Sequence, residues 1–215
     1  MTQEPRVLGL DLSITSTGVC RPDGTTFLIV PKKVTGDARI NFIRDAVRGE
    51  LTGVDVAVVE DFPAMLQAAA AKAIGIVQGA VRSALMDAGV PYAVVPPSTL
   101  KKYATDNGSC SKTDMALAAY KRGAVEFEKD PNGDRCDAWW LFVAGLDRYA
   151  AHPPLGGLPK GQRAALDKVD WPEPRPRPDD GMTEQEVRED AGFGLPVCPA
   201  CEGDPFADHL EGCGA

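Results

Sequence analysis

The chain has 215 residues, enough for one core of about 150 residues plus further material, and its apolar fraction of 44% is ordinary for a globular protein. No stretch approaches the ~20 apolar residues of a membrane span, and the first residues lack the basic start and apolar run of a signal peptide, so a cytoplasmic location and no membrane partner are expected. The net charge of −8 argues on its face against a polyanionic partner.

Residues 7–12 form a short apolar run interrupted by Asp11, which reads as a strand. Residues 17–21 and 25–30 follow as two strands joined by the Pro22-Asp23-Gly24 turn, a hairpin signature. Ile40, Ile43, Val47 and Leu51 recur at helical spacing, so residues 37–51 are expected to form an amphipathic helix. Residues 54–59 are a β-branched run that ends at Glu60. Residues 66–88 then make a long helix with Ile74, Val77, Val81 and Leu85 on one face and Gly75 and Gly79 permitting a close approach. Residues 92–95 are a further strand. A short helix follows with Ser98 as its N-cap, and Asp106-Asn107-Gly108 is a loop. Ser111-Lys112-Thr113-Asp114 is a capping-box-like start to a helix reaching about Gly123, and the last helix runs from Asp134 to Tyr149. Seven prolines in residues 152–182 read as an extended, mobile linker. The expected organisation is a body of residues 1–151, a Pro-rich linker of 152–182 and a small tail of 183–215, the body being an α/β mixed sheet flanked by helices.

The charge is unevenly spread. Residues 1–150 carry 17 Lys+Arg against 18 Asp+Glu, whereas residues 151–215 carry 6 against 13. Within residues 72–122, seven basic side chains (Lys72, Arg82, Lys101, Lys102, Lys112, Lys121, Arg122) face only three acids. The acidity therefore belongs mostly to the tail, and the middle of the body is basic.

A carboxylate inside an apolar strand costs free energy unless it is paired or bound to a metal. Asp11 is so placed, Glu60 ends a buried strand, and Asp134 and Asp137 share one helical face. If the two strands are adjacent and the helix crosses their ends, four carboxylates converge. All-oxygen ligands suit Mg²⁺ or Mn²⁺, and two such ions about 4 Å apart activate a water and stabilise the leaving oxygen of a phosphodiester. Each acid also has a plainer role. Asp11 can cap the turn that follows it, Glu60-Asp61 can be a strand-end charge pair, and Asp134 can be the N-cap of its helix with Asp137 favoured by the macrodipole.

Gly9-Leu10-Asp11, followed by a Ser/Thr-rich turn and Thr17-Gly18, resembles the first motif of the RuvC Holliday-junction resolvases of the RNase H-like superfamily. Val58-Val59-Glu60 is similar to their second acidic strand. The segment from Pro96 through Lys101, Asn107-Gly108 and Ser111-Lys112 is similar to their proline, basic helix, Asn-Gly and Ser-Lys. Asp134-Arg135-Cys136-Asp137-Ala138 resembles their closing Asp-x-x-Asp-Ala. The resemblance spans residues 6–150, and the compact body with a tail is similar to phage-encoded members. It implies an RNase H-like five-stranded sheet, a homodimer and paired symmetric nicks in four-way junctions. It further implies that Asp11, Glu60, Asp134 and Asp137 hold the catalytic metal ions. Lys112, with Lys101 or Lys102, would then lie near the scissile phosphate. The family places an aromatic wedge just past the second acid. Here the order is Asp61-Phe62-Pro63, so Phe62 takes that place and Pro63 alters the local path.

Lys72, Arg82, Lys101, Lys102 and Lys112, together with Phe62, are the candidate DNA contacts, the cations acting through phosphate charge. At least one of Trp139 and Trp140 is expected in the core, as are Cys20, Cys110 and Cys136. The absence of histidine up to residue 150 excludes Ser-His-Asp chemistry there, and no phosphate-binding Gly-x-x-x-x-Gly-Lys-Ser/Thr loop is present. In the tail, Cys198, Cys201, His209 and Cys213 have the spacing of a structural Zn²⁺ site, and its acidic surroundings favour a protein partner. The expected function is a nuclease for Holliday junctions or other branched DNA. The alternatives are a catalytically silent DNA- or protein-binding module of the same fold, or a nuclease for flaps or RNA–DNA hybrids.

Overall fold

Alternation of apolar side chains along the central strands decides which helices cover which face of the sheet. The computed structural model describes residues 4–62, 67–152 and 154–177. Its strands are β1 (Val7–Asp11), β2 (Thr17–Cys20), β3 (Thr26–Ile29), β4 (Val56–Glu60) and β5 (Tyr92–Val95), in the order β3-β2-β1-β4-β5. β2 is antiparallel to both β1 and β3, while β1, β4 and β5 run parallel, so the sheet is mixed, as the sequence led us to expect.

With a side-chain period of two, Leu8, Leu10, Ala57 and Val59 point to one face. There they pack with Ile43 and Val47 of α1 (Ala38–Gly49) and Val77, Val81 and Leu85 of α2 (Ala68–Asp87). Val7, Val56 and Val58 point to the other face, against α5 (Asp134–Tyr149), which is backed by α3 (Pro97–Thr105) and α4 (Lys112–Gly123). Sandwiched between sheet and helices, α5 is buried nearly all round. Trp140 is wholly buried and donates its indole N–H to the Met115 carbonyl at 3.1 Å. Cys20, Cys110 and Cys136 are buried free thiols. No helix among the described residues is long and apolar enough to cross a membrane.

Glycine lets α5 approach the sheet backbone to backbone. A Cβ on Gly9 would lie 2.1 Å from the Ala138 carbonyl oxygen, and one on Gly18 would lie 1.9 Å from that of Asp134. By contrast, a methyl group at Gly75 or Gly79 would meet no described atom within 4 Å, so these two glycines do not seat α2 on its own sheet.

Two local expectations change. The helix placed after Ser98 starts at Pro97 with Pro96 as its N-cap, because proline at the first helical position sacrifices an N–H that has no partner anyway. Ser98 falls inside the first turn. The Ser111 capping box does form: its hydroxyl accepts from the Asp114 amide at 3.1 Å, and the Asp114 carboxylate accepts from the Ser111 amide at 2.9 Å.

The larger correction concerns the expected linker up to residue 177, its last residues, 178–182, lying outside the described residues. The compact body extends through Arg175 rather than ending at residue 151. Leu158, Leu166 and Val169 join the α5-side core, with Trp171 packed against it edge-on to Tyr149. In the short helix α6 (Lys160–Arg163), Gln162 donates to the Tyr103 carbonyl at 2.8 Å and accepts from Arg122 at 3.0 Å. Arg175 donates to the carbonyls of Ala88 and Val54 at 3.1 and 2.8 Å. Prolines keep helix here to short turns but do not prevent packing, and four apolar side chains supply the anchor. Residues 183–215, including Cys198, Cys201, His209 and Cys213, lie outside the described residues.

A chain ended at residue 151 should therefore unfold or aggregate at room temperature, whereas one ended at residue 177 should melt with the full-length protein. Each large apolar anchor lost removes about 1.5–3 kcal/mol from a margin of about 5–15 kcal/mol. Thermal denaturation of the two truncated chains checks this, and equal melting temperatures would show the segment to be a passive linker.

Candidate active site

The parallel register brings the first two acids together. Leu10 pairs with Val59, so the next residues, Asp11 and Glu60, lie side by side where β1 and β4 end. Both continue the series that faces α5. The close contact of α5 at Gly9 and Gly18 sets Asp137, one turn into that helix, over the same spot. Asp11, Glu60 and Asp137 each offer a carboxylate oxygen within 4.8 Å of the others, a set that can hold a metal ion. Asp134, one turn earlier, is buried beside this group and is not part of the close set.

The capping roles open to Asp11 and Asp134 are filled by other groups. The turn after Asp11 is closed by its own hydroxyls: Thr17 Oγ1 accepts from the Ser13 amide at 3.1 Å and donates to the Ser13 carbonyl at 2.8 Å. Gly133, not Asp134, is the N-cap of α5. The free amides of that terminus are met by Asp130, which accepts from Arg135 and Cys136 at 3.2 and 3.0 Å. Sequence reasoning passed over Asp130. Its signal was an acid just before the Pro131-Asn132-Gly133 turn and a helix start.

Lys112 is the cation in contact with the acids among the described residues. Its Nζ lies 3.0 Å from Asp137 Oδ2 and 3.6 Å from Asp134 Oδ1. Gly133 makes room for its stem, because a Cβ there would come within 2.8 Å of Lys112 Cδ. Burial pushes the Asp11 carboxyl up to about 7, and the neighbouring Asp137 charge adds to the effect. Glu60 is raised well above the usual carboxylate range by burial and by the Asp11 and Asp137 charges. A hydrogen bond between the two favours the proton on Glu60. Burial also raises Asp137, with Lys112 opposing. Partial burial disfavours the Lys112 ammonium, but the carboxylates of Asp137, Asp11 and Asp134 outweigh it and hold the charge in place. The site is thus one in which carboxylates are too close for water and one lysine to neutralise, and a divalent cation fits that deficit.

The remaining candidates are dispersed. Phe62 is 42% exposed, two residues past Glu60. Lys72 is exposed on α2 and Lys101 is half-buried on α3. Lys102 donates to the carbonyl and carboxylate of Asp106 at 2.8 and 2.6 Å, closing the end of α3. Arg82 turns inward to Gln78 at 2.5 Å and approaches Asp61 at 3.7 Å. Trp139 and Trp140 are both in the core.

No family model and no curated protein matches the sequence. Solved structures do. RuvC of Thermus thermophilus in complex with a Holliday junction substrate matches with a TM-score of 0.57 at 20% identity, over 79% of this chain and 99% of that one. A second Thermus thermophilus RuvC structure matches with a TM-score of 0.55 at 19% identity and the same coverage. The chain has the RuvC-like, RNase H-like fold.

The raised Asp11 group ties stability to pH. Its folded value of about 7 lies above the ordinary 3.8, so the folded chain binds the extra proton. This contribution is intact at low pH and is lost as the pH rises from about 4 to about 7, by at most about 4 kcal/mol. In chelator, Asp11→Asn should therefore melt above the wild type at about pH 8, with the gap narrowing at about pH 5. Calorimetry at both values checks this, and a gap independent of pH would contradict the placement of Asp11.

Proposed function

We propose that the protein is a structure-selective endodeoxyribonuclease that resolves Holliday junctions or other branched DNA by metal-dependent phosphodiester hydrolysis. The observation that carries this reading is the convergence of Asp11, Glu60 and Asp137 within 4.8 Å, with Lys112 against them, in a chain with the fold of a protein solved with a Holliday junction. Mg²⁺ or Mn²⁺, two per site, would be held by these acids and would supply an activated water and charge for the leaving oxygen. Asp11, Glu60 and Asp137 hold the ions, and Asp134 completes the set from the rim. Lys112 carries a fixed positive charge beside the acids, placed to accept the scissile phosphate once the carboxylates are neutralised. Lys72, Lys101, Lys102 and the exposed edge of Arg82 hold flanking phosphates, and Phe62 inserts at the crossover.

Paired nicks in a two-fold junction require two sites related by a two-fold axis, so the active form is a homodimer. The outward face of α2 supports it as the contact, with Gly75 and Gly79 open and Ile76 and Met86 exposed. The tail binds one structural Zn²⁺ through Cys198, Cys201, His209 and Cys213 and serves a protein partner.

The deciding experiment incubates labelled four-way junction, flap, RNA–DNA hybrid and linear duplex with Mg²⁺ or with chelator. The junction should be cut by paired symmetric nicks, with Mg²⁺ only. Asp11→Asn, Glu60→Gln and Asp137→Asn should lower the rate at least about 100-fold while junction affinity stays within severalfold, and Asp134→Asn should cost less. An intact junction beside a cut flap or hybrid would move the substrate class.

Metal analysis of freshly reduced protein should find about one Zn²⁺ per chain, and none in a chain ended at residue 182. Zinc retained by the shortened chain would place the site elsewhere.

A further inference from the structure

On the reading that Asp11, Glu60 and Asp137 hold a divalent ion, we propose that Gln78 and Arg82 of α2 are positioning residues for Glu60. Glu60 is the last residue of β4, where the ladder ends, and its carboxylate is pressed against two others that repel it. A strand end under such a load needs an anchor on its main chain. Gln78 provides it from the opposite face of the sheet. It is only 3% exposed, and its Nε2 donates to the Glu60 carbonyl at 3.0 Å.

The amide is itself fixed. Its Oε1 accepts from Arg82 Nη2 at 2.5 Å, one turn along the helix. The Arg82 guanidinium lies over the Tyr92 ring of β5 at 5.9 Å and stands 3.7 Å from Asp61 Oδ1. Asp61 in turn accepts from the Phe62 amide at 3.0 Å, and its own amide donates to the Val95 carbonyl at 2.9 Å. One glutamine–arginine pair therefore ties the metal-facing residue Glu60, and the turn that presents Phe62, to α2 and β5. A buried glutamine on an otherwise apolar helix face is costly unless both ends of its amide are used, and here both are. An apolar side chain would fill the same space without fixing the carbonyl. Its polarity therefore serves the alignment of Glu60 rather than the packing of α2.

Gln78→Met keeps the volume and removes both hydrogen bonds. Mn²⁺ binding to the DNA-free full-length chain, followed by electron paramagnetic resonance, should weaken about tenfold. Single-turnover junction cleavage should need a correspondingly higher Mg²⁺ concentration and recover when the ion is saturating. Junction affinity should stay within about twofold, since phosphate contacts are untouched. Arg82→Met, which frees the glutamine amide without cutting its bond to Glu60, should weaken Mn²⁺ binding to the DNA-free chain to a smaller extent, and that measurement alone, independent of the DNA contact assigned to Arg82, serves as the test if Gln78→Met does not fold. A folded Gln78→Met protein with wild-type Mn²⁺ affinity and Mg²⁺ dependence overturns the inference alone. A wild-type chain that binds no Mn²⁺ sinks the metal reading and this inference with it.

Discussion

The contact between the backbone of α5 and the backbones of β1 and β2 governs the rest of the molecule. Helices normally ride on a sheet at a distance set by the side chains between them. Here Gly9 and Gly18 remove the side chains at the crossing, and the carbonyls of Ala138 and Asp134 occupy the space that a methyl group would take. The start of α5 is thereby lowered to the level of the strand ends. Asp137 reaches the same point as Asp11 and Glu60 without an extended or unusual side chain. Gly145 does the same further along, where a Cβ would meet Val7 and Val58. The contact also explains why α5 must be apolar on nearly every side: with the sheet so close below and α3 and α4 above, none of its faces is left for water except at its two ends.

That arrangement creates an electrostatic load that the core must carry. Three buried or half-buried carboxylates each offer an oxygen within 4.8 Å of the others, and burial raises the proton affinity of all three. The Lys112 ammonium offsets part of the repulsion and is stabilised in return. It is tethered through the first turn of α4, whose capping box is complete, so its charge does not wander. The surrounding apolar clusters hold the backbone against this repulsion on both faces of the sheet, and Asp130 satisfies the α5 terminus while its charge adds to the load on Asp137.

Much of this was legible from residue order. The strands, the five long helices and the hairpin follow from periodicity and turn chemistry. The convergence of Asp11, Glu60 and Asp137 follows once the strands are adjacent. Four things were hidden, each for a physical reason. The Pro-rich segment was judged by its prolines, which report backbone freedom, whereas its docking depends on Leu158, Leu166, Val169 and Trp171, whose spacing has no regular period. Asp134 looked like a cap because acids at helix starts usually are caps, but the free amides there were already claimed from outside the helix by Asp130. Arg82 was counted among the candidate DNA contacts, yet it turns to Gln78, one turn back on α2, and towards Asp61, which lies across the fold and cannot be seen along the chain. Gln78 itself carries no pattern at all, since a single buried amide is indistinguishable in sequence from a surface one.

The proposed activity has to be reconciled with a net charge of −8. Two separations resolve the conflict. Along the chain, most of the excess acid falls beyond residue 150, away from the basic run of residues 72–122. Within the site, the chain's own charges are three close carboxylates with Asp134 nearby and one ammonium. A phosphate approaching them in the absence of a cation meets a net negative field at low local dielectric, where repulsion is strong. Flanking lysines can hold the duplex arms through screened, longer-range attraction, but they cannot by themselves bring the scissile phosphate to the acids. Arm binding and seating of the scissile phosphate are therefore governed by different charges. The first depends on the surface lysines and falls with salt; the second depends on neutralisation of the carboxylates and on Lys112 remaining charged. On the proposed activity, this division would let an acidic chain hold branched DNA through its surface lysines while cleavage depends on neutralisation of carboxylates that the fold buries.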